Sequence, residues 1–125
     1  MRALIVDDAI TVRLMLSSIL KKLGYDTIFL AEHGKQALEN LPDYQDLDLM
    51  VIDWNMPFLN GLELIKELRL FAQYTETPIL MATTETERDK MIEALNAGAN
   101  EYIMKPFTIE MLRDKLEIAG CQVLR

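Results

Sequence analysis

Four short segments carry residues able to do chemistry, and they lie far apart along the chain. Asp7 and Asp8 follow the apolar run Ala3-Leu4-Ile5-Val6. Asp53 follows Leu49-Met50-Val51-Ile52 and opens the stretch Asp53-Trp54-Asn55-Met56-Pro57. Thr83, Thr84 and Glu85 follow Ile79-Leu80-Met81-Ala82, and Lys105-Pro106-Phe107 follows Tyr102-Ile103-Met104. Brought to one place, they make a pocket of carboxylates, an ammonium and a hydroxyl pair. Crowded carboxylates repel, and one tends to protonate unless a cation intervenes. Hard oxygen donors with no His or Cys among them suit Mg²⁺, which keeps several of its waters. Metal and lysine together neutralise the equatorial oxygens of a transferring phosphoryl group, and a carboxylate can itself be the nucleophile, giving an aspartyl phosphate. Asp53 is the best candidate nucleophile, because it ends the most central-looking apolar run.

Taken singly, each residue has an ordinary explanation. An Asp after a strand caps a helix or shapes a turn, and so does a Thr pair. Lys-Pro is a common loop dipeptide. His33 reads as a solvated loop residue, and the eight methionines read as core filler. The joint occurrence is the signal, with each group at the same end of a different apolar run.

The runs Ala3–Val6, Thr27–Ala31, Leu49–Ile52, Ile79–Ala82 and Tyr102–Met104 show no period-two alternation. Continuous apolar segments of this length suit strands buried on both faces, as in parallel sheets. Between them lie helical periodicities. Val12, Met15, Leu16, Ile19, Leu20 and Leu23 form one stripe, with Thr11 as the expected cap and Gly24 as the stop. Further helices are expected from Lys35 to Leu41, on Leu62, Ile65 and Leu68, on Met91, Ile92 and Leu95 ending at Gly98, and on Leu112, Leu116 and Ala119 with Thr108 as cap. Five such βα units predict an α/β fold, a three-layer, doubly wound parallel sheet with right-handed crossovers. Such sheets bind ligands at the carboxyl ends of their strands, near the switch in strand order.

The 125 residues suit a single domain spanning 1–125. Twenty acidic residues against 13 basic ones give a net charge of −7, a poor balance for coating nucleic acid or an anionic membrane. One cysteine, Cys121, excludes an internal disulfide and a Cys-based zinc site, and one histidine excludes a His-rich metal site. Cysteine usage points to a reducing, cytoplasmic compartment. No apolar run approaches the roughly 20 residues of a membrane span.

At these residues the sequence resembles the receiver domain of two-component response regulators, and in particular its stand-alone chemotaxis members. The likeness covers essentially the whole chain. It rests on Asp7-Asp8, Asp53-Trp54-Asn55-Met56-Pro57, Gly61-Leu62-Glu63-Leu64, Thr83 thirty residues past Asp53, Gly98-Ala99 and Lys105-Pro106-Phe107. The resemblance implies the flavodoxin-like strand order 2-1-3-4-5 for the sheet, and it implies that Asp53 is the phosphoacceptor. It implies a Mg²⁺ cofactor held by Asp8, Asp53 and the Asn55 backbone carbonyl, with Asp7 acting mainly through a bound water. Lys105 would contact a phosphoryl oxygen, Thr83 would be the switch hydroxyl and Tyr102 the aromatic rotamer that follows it. The Lys105–Pro106 bond would be cis. Asn55 and Glu85 would tune hydrolysis of the aspartyl phosphate. Thr84 is bulkier than the small residue often found there and would narrow access to Asp53.

Phosphorylation adds about −1.5 to −2 charges and strong acceptor oxygens. Thr83 donating to one of them would pull its loop inward and leave room for Tyr102 to turn from exposed to buried, biasing a pre-existing equilibrium. The read-out face would be the fourth helix, fifth strand and fifth helix, with Arg88, Met91, Leu95, Tyr102, Met104 and Lys115. The implied partners are a histidine kinase and a downstream effector protein, a flagellar motor switch being one candidate, and the chain would be a monomer. A receiver domain belonging to a longer regulator or kinase is the alternative reading.

Three other classes fit less well. A haloacid-dehalogenase-type phosphatase wants an Asp two residues after its nucleophile, where Asn55 stands. A flavodoxin-like FMN carrier wants a phosphate loop where Asp7-Asp8 would repel it. A pseudo-receiver would lack the acidic pair or the phosphoacceptor.

Overall fold

The computed structural model describes residues 1–44, 46–84 and 88–124, with the side chain of Arg88 outside that description. Strands and helices alternate along the chain: β1 (Arg2–Val6), α1 (Ile10–Lys22), β2 (Thr27–Ala31), α2 (Gly34–Glu39), β3 (Leu49–Ile52), α3 (Gly61–Leu68), β4 (Ile79–Thr83), α4 (Arg88–Ala97), β5 (Glu101–Met104) and α5 (Ile109–Ile118). Short 3₁₀ turns occupy Leu41–Asp43 and Ala72–Tyr74. The strands form one five-stranded sheet in the order β2-β1-β3-β4-β5, every pairing parallel. The expected architecture and strand order are those observed.

Strand alternation sorts the side chains into two cores. Leu4, Val6, Met50, Ile52, Ile79, Met81 and Tyr102 project to the face covered by α2, α3 and α4, through Ala37, Leu64, Ile65, Leu68 and Ala94. Ala3, Ile5, Leu49, Val51, Leu80, Ala82 and Ile103 project to the other face, covered by Leu16 and Leu20 of α1, by Leu23 at its C-cap, and by Leu112 and Leu116 of α5. Central strands therefore bury both faces, which explains their uninterrupted apolar sequence. β2 departs from that expectation. It is an edge strand, half-buried along most of its length, with Leu30 exposed.

Local sequence explains most helix ends. Asn60 accepts from Glu63 N while Glu63 reaches back to Asn60 N, a capping box at the start of α3. Thr108 accepts from Met111 N at 3.1 Å and caps α5, as expected. Gly24 and Gly98 adopt positive φ values of 108° and 122° just past α1 and α4, a conformation open to glycine at little cost.

Three expectations need correction. Thr11 is not the cap of α1: it lies inside the helix, whose N-cap is Ala9. The turn is shaped instead by Asp7, whose Oδ1 accepts from Ala9 N at 2.9 Å. α2 stops at Glu39, and Leu41 and Pro42 belong to a separate 3₁₀ turn. His33 is the N-cap of α2, its Nδ1 accepting from Gln36 N at 3.1 Å, and its ring meets Phe58 edge-on.

Gly61 ties the fold to the carboxyl end of β3. Its N–H donates to Trp54 O at 2.9 Å, and a Cβ there would lie inside the van der Waals envelope of the Asp53 carbonyl oxygen. The loop after Asp53 can close onto α3 only without a side chain. Gly61→Ala is expected to lower unfolding free energy by about 2 kcal/mol or more. A urea titration checks this; a midpoint equal to that of the parent, at unchanged m-value, contradicts it.

Candidate functional site

Backbone hydrogen bonds carry the sheet one residue beyond the strands and so set the side chains at its carboxyl edge. Asp7 N donates to Ala31 O (3.1 Å), Asp53 N to Val6 O (2.9 Å) and Lys105 N to Thr83 O (2.9 Å). Asp7 and Asp53 thus leave adjacent strands side by side. One carboxylate oxygen from each of Asp7, Asp8 and Asp53 lies within 4.8 Å of the others. Asp7 and Asp53 are buried, whereas Asp8 is exposed. Lys105 reaches in from the tip of β5, its Nζ 2.6 Å from Asp7 Oδ2 and 3.4 Å from Asp53 Oδ1. Its bond to Pro106 is cis.

The surroundings raise the Asp53 carboxyl to about 6. Burial is the largest cause; the nearby Lys105 ammonium pulls the other way, and Asp7 and Asp8 add like-charge repulsion. The donor set fits a hard divalent cation: clustered carboxylates from two strand tips, one open to solvent, with no His or Cys in the cluster. A bound cation would offset the repulsion that the lysine offsets only in part.

A model of the response regulator receiver domain family matches residues 3–117. The chain belongs to the response regulator receiver family. This receiver domain is 45% identical over 118 residues to the chemotaxis protein CheY1 of Helicobacter pylori, covering 94% of the chain and 95% of that relative. It is 45% identical over 117 residues to a CheY homolog of Campylobacter jejuni, covering 94% and 90%. The solved structure of the Vibrio cholerae chemotaxis protein CheY4 superposes with a TM-score of 0.85 at 39% identity, covering 93% of this chain and 95% of that one.

The receiver fold places the expected residues as follows. Asp7, Asp8, Asp53 and Lys105 converge. Thr83 ends β4 and is fully buried, while Thr84 is exposed. Asn55 is exposed on the loop after β3. Tyr102 is not exposed as the expected switch requires of its starting position: it is already buried, 2% exposed, within the core that also holds Trp54 and Met81. Lys115 pairs with Glu101 at 3.3 Å, and Met104 is half-buried against the same core. Glu85 and the side chain of Arg88 lie outside the described residues.

The exposed face of α4 needs adjustment. Ala94 is fully buried, so Met91, three residues earlier, turns toward the core and is half-buried. Leu95 is exposed as expected, but its outward apolar companion is Ile92.

Two residues around the site escaped the sequence reading. Lys90 of α4 holds its Nζ 5.2 Å from the ring centroid of Trp54, a cation–π contact beside the phosphoacceptor candidate. Arg13 of α1 is buried at 8% exposure and donates from Nη1 to Asp7 O at 2.6 Å. Its signal was present: position 13 shares a helical face with Leu16 and Leu20, where a charge is out of place.

Because the folded protein raises the Asp53 carboxyl, ionising it works against the fold. The stabilising contribution of the protonated form is complete below about pH 4 and is lost as pH rises through about 6. Without divalent cations at pH 7.5, Asp53→Asn is expected to stabilise the protein by about 1–3 kcal/mol, with the gain vanishing toward pH 4. Paired urea titrations at the two pH values check it; a variant less stable than the parent at pH 7.5 contradicts it.

Proposed function

We propose that the chain is a phosphorylation-controlled switch of two-component signalling, with Asp53 as the phosphoacceptor. One observation carries this reading: the Lys105 ammonium stands 3.4 Å from Asp53 Oδ1 inside a cluster of carboxylates drawn from two strand tips. In the reaction, an Asp53 oxygen forms a bond to phosphorus while the bond to the donor breaks and its electron pair leaves with the donor. The donor is the phosphohistidine of a histidine kinase, or a small acyl phosphate. The chemistry is self-phosphorylation and its hydrolysis, in a signalling domain rather than a metabolic enzyme.

Asp8, Asp53 and the Asn55 carbonyl are the proposed Mg²⁺ ligands, and Asp7 acts through a bound water. The engagement of Asp7 supports that division: its Oδ1 is held by Ala9 N and its Oδ2 by Lys105. Asp8 is the solvent-open member. When bound, the cation supplies charge neutralisation on phosphoryl oxygens. Lys105 does the same from the opposite side. Thr83 donates its hydroxyl to the phosphoryl group, which favours the inward arrangement that Tyr102 already adopts here. Asn55 and Glu85 tune the lifetime, which as in the fast-turnover chemotaxis regulators is short.

The read-out comprises α4, β5 and α5, with Arg88, Leu95, Met104 and Lys115, and with Ile92 in place of the core-turned Met91; Tyr102 contributes from beneath that face, where it is buried. Similarity to CheY proteins supports a chemotaxis role with a histidine kinase upstream and an effector such as a flagellar motor switch downstream. Residues 1–125 act as one receiver domain, monomeric and cytoplasmic. Among the described residues no helix is long and apolar enough to cross a membrane.

Incubation with acetyl phosphate and Mg²⁺ is expected to raise the intact mass by one phosphoryl group in the parent and not in Asp53→Asn. Thr83→Ala is expected to label but to lose the change in effector-face exposure that beryllofluoride produces in the parent, measured by hydrogen exchange over α4 and β5. Labelling of Asp53→Asn to the parental extent would remove Asp53 from its assigned role.

A further inference from the structure

Every polar atom of Asp7 is engaged. Its N–H donates to Ala31 O, its Oδ1 accepts from Ala9 N, and its Oδ2 accepts from Lys105 Nζ. The remaining atom, the main-chain carbonyl oxygen, accepts from Arg13 Nη1 at 2.6 Å in a buried contact. That carbonyl belongs to the peptide plane joining Asp7 to Asp8, and peptide planes are rigid. Holding the oxygen therefore orients the plane from which Asp8 departs.

The cost of this device is notable. Arginine stays charged when buried, and removing a guanidinium from water carries a large penalty unless it is matched. Here it spends a charge-assisted donor on a backbone carbonyl that water or a neutral donor would satisfy. Its position is also unfavourable in packing terms, since it shares the sheet-facing stripe of α1 with Leu16 and Leu20. An apolar residue there would extend the core. A charged one is explained by the group it touches.

We propose that Arg13 is a positioning residue for the acidic site: by fixing the Asp7–Asp8 peptide it holds the exposed Asp8 carboxylate toward Asp7 and Asp53, in register for a divalent cation. The inference rests on the reading of the pocket as a Mg²⁺ site. A purely electrostatic role predicts the opposite sign, because a guanidinium behind a cation site repels the cation, and removing it would tighten binding. Geometry and charge thus separate in one measurement.

The experiment is a Mg²⁺ titration of the full chain followed by fluorescence of Trp54, which adjoins Asp53 and is 5% exposed. Arg13→Met is expected to weaken Mg²⁺ binding about tenfold, the scale on which groups behind metal ligands act. Arg13→Lys keeps one donor but not the rigid fork, and is expected to lose less. Leu16→Ala, on the same stripe, is a control for general loosening of α1. It is expected to lower the urea midpoint while leaving Mg²⁺ affinity at the parental value. Parental or tighter binding by Arg13→Met overturns the proposal, as does an equal loss in Leu16→Ala. If Arg13→Met does not fold, Arg13→Lys decides, and parental affinity there overturns it. A parent silent to Mg²⁺ overturns the site reading and this inference together; a responsive parent with unaffected Arg13 variants overturns this inference alone.

Discussion

Repulsion among carboxylates at one edge of a parallel sheet is the constraint around which this domain is organised. β1 and β3 are neighbours, and their backbone hydrogen bonds continue past the strand ends into Asp7 and Asp53. The ladder leaves those side chains no freedom to separate. Burial makes the crowding more costly, because low polarity penalises the charged form. Lys105 relieves part of it from the tip of β5, on the opposite side of β4 from Asp53. The balance is incomplete, as the raised Asp53 carboxyl records. A site poised in this way favours whatever brings positive charge or spreads negative charge, which is the chemistry of a cation and a phosphoryl group.

The three carboxylates are not equivalent, and their inequality comes from the surroundings of each. Asp7 is tied at every polar atom and behaves as part of the scaffold. Asp53 is buried but carries only the longer of the two contacts to Lys105. Asp8 faces solvent. Around this core the same strand tips connect outward. Thr83 and Lys105 are linked through the backbone, and Tyr102 lies in the core shared by Trp54, Met91 and Ala94. A change of charge at Asp53 therefore acts on a packed set of groups reaching α4, whose outer surface shows Ile92 and Leu95 to solvent.

Much of this was legible in the residues. Uninterrupted apolar runs identified strands buried on both faces, and the polar groups following them named the edge at which chemistry collects. Asp53 stood out because it ends the most central-looking apolar run, and the sheet order does place β3 at the centre. The cap at Thr108 was local and readable in type. The errors were also physical. Thr11 was a plausible cap, but the helix starts earlier, with Ala9 at its N-cap and Thr11 already inside the first turn. Met91 looked outward until Ala94 took the inner face of α4. His33 resembled a loop residue because a histidine cap carries no strong sequence signature.

By itself, the order of residue types determined the fold class and the sheet edge at which Asp7, Asp8, Asp53 and Lys105 collect, because hydrophobic period and chain connectivity are properties of the sequence alone. Tertiary structure alone decided how charge is shared among those groups. Which carboxylate is buried, which one Lys105 holds most closely, that Arg13 grips the Asp7 carbonyl and that Lys90 covers Trp54 all depend on distances between residues remote in the chain. Electrostatic energies vary with separation and burial, and neither is written in the spacing of a motif.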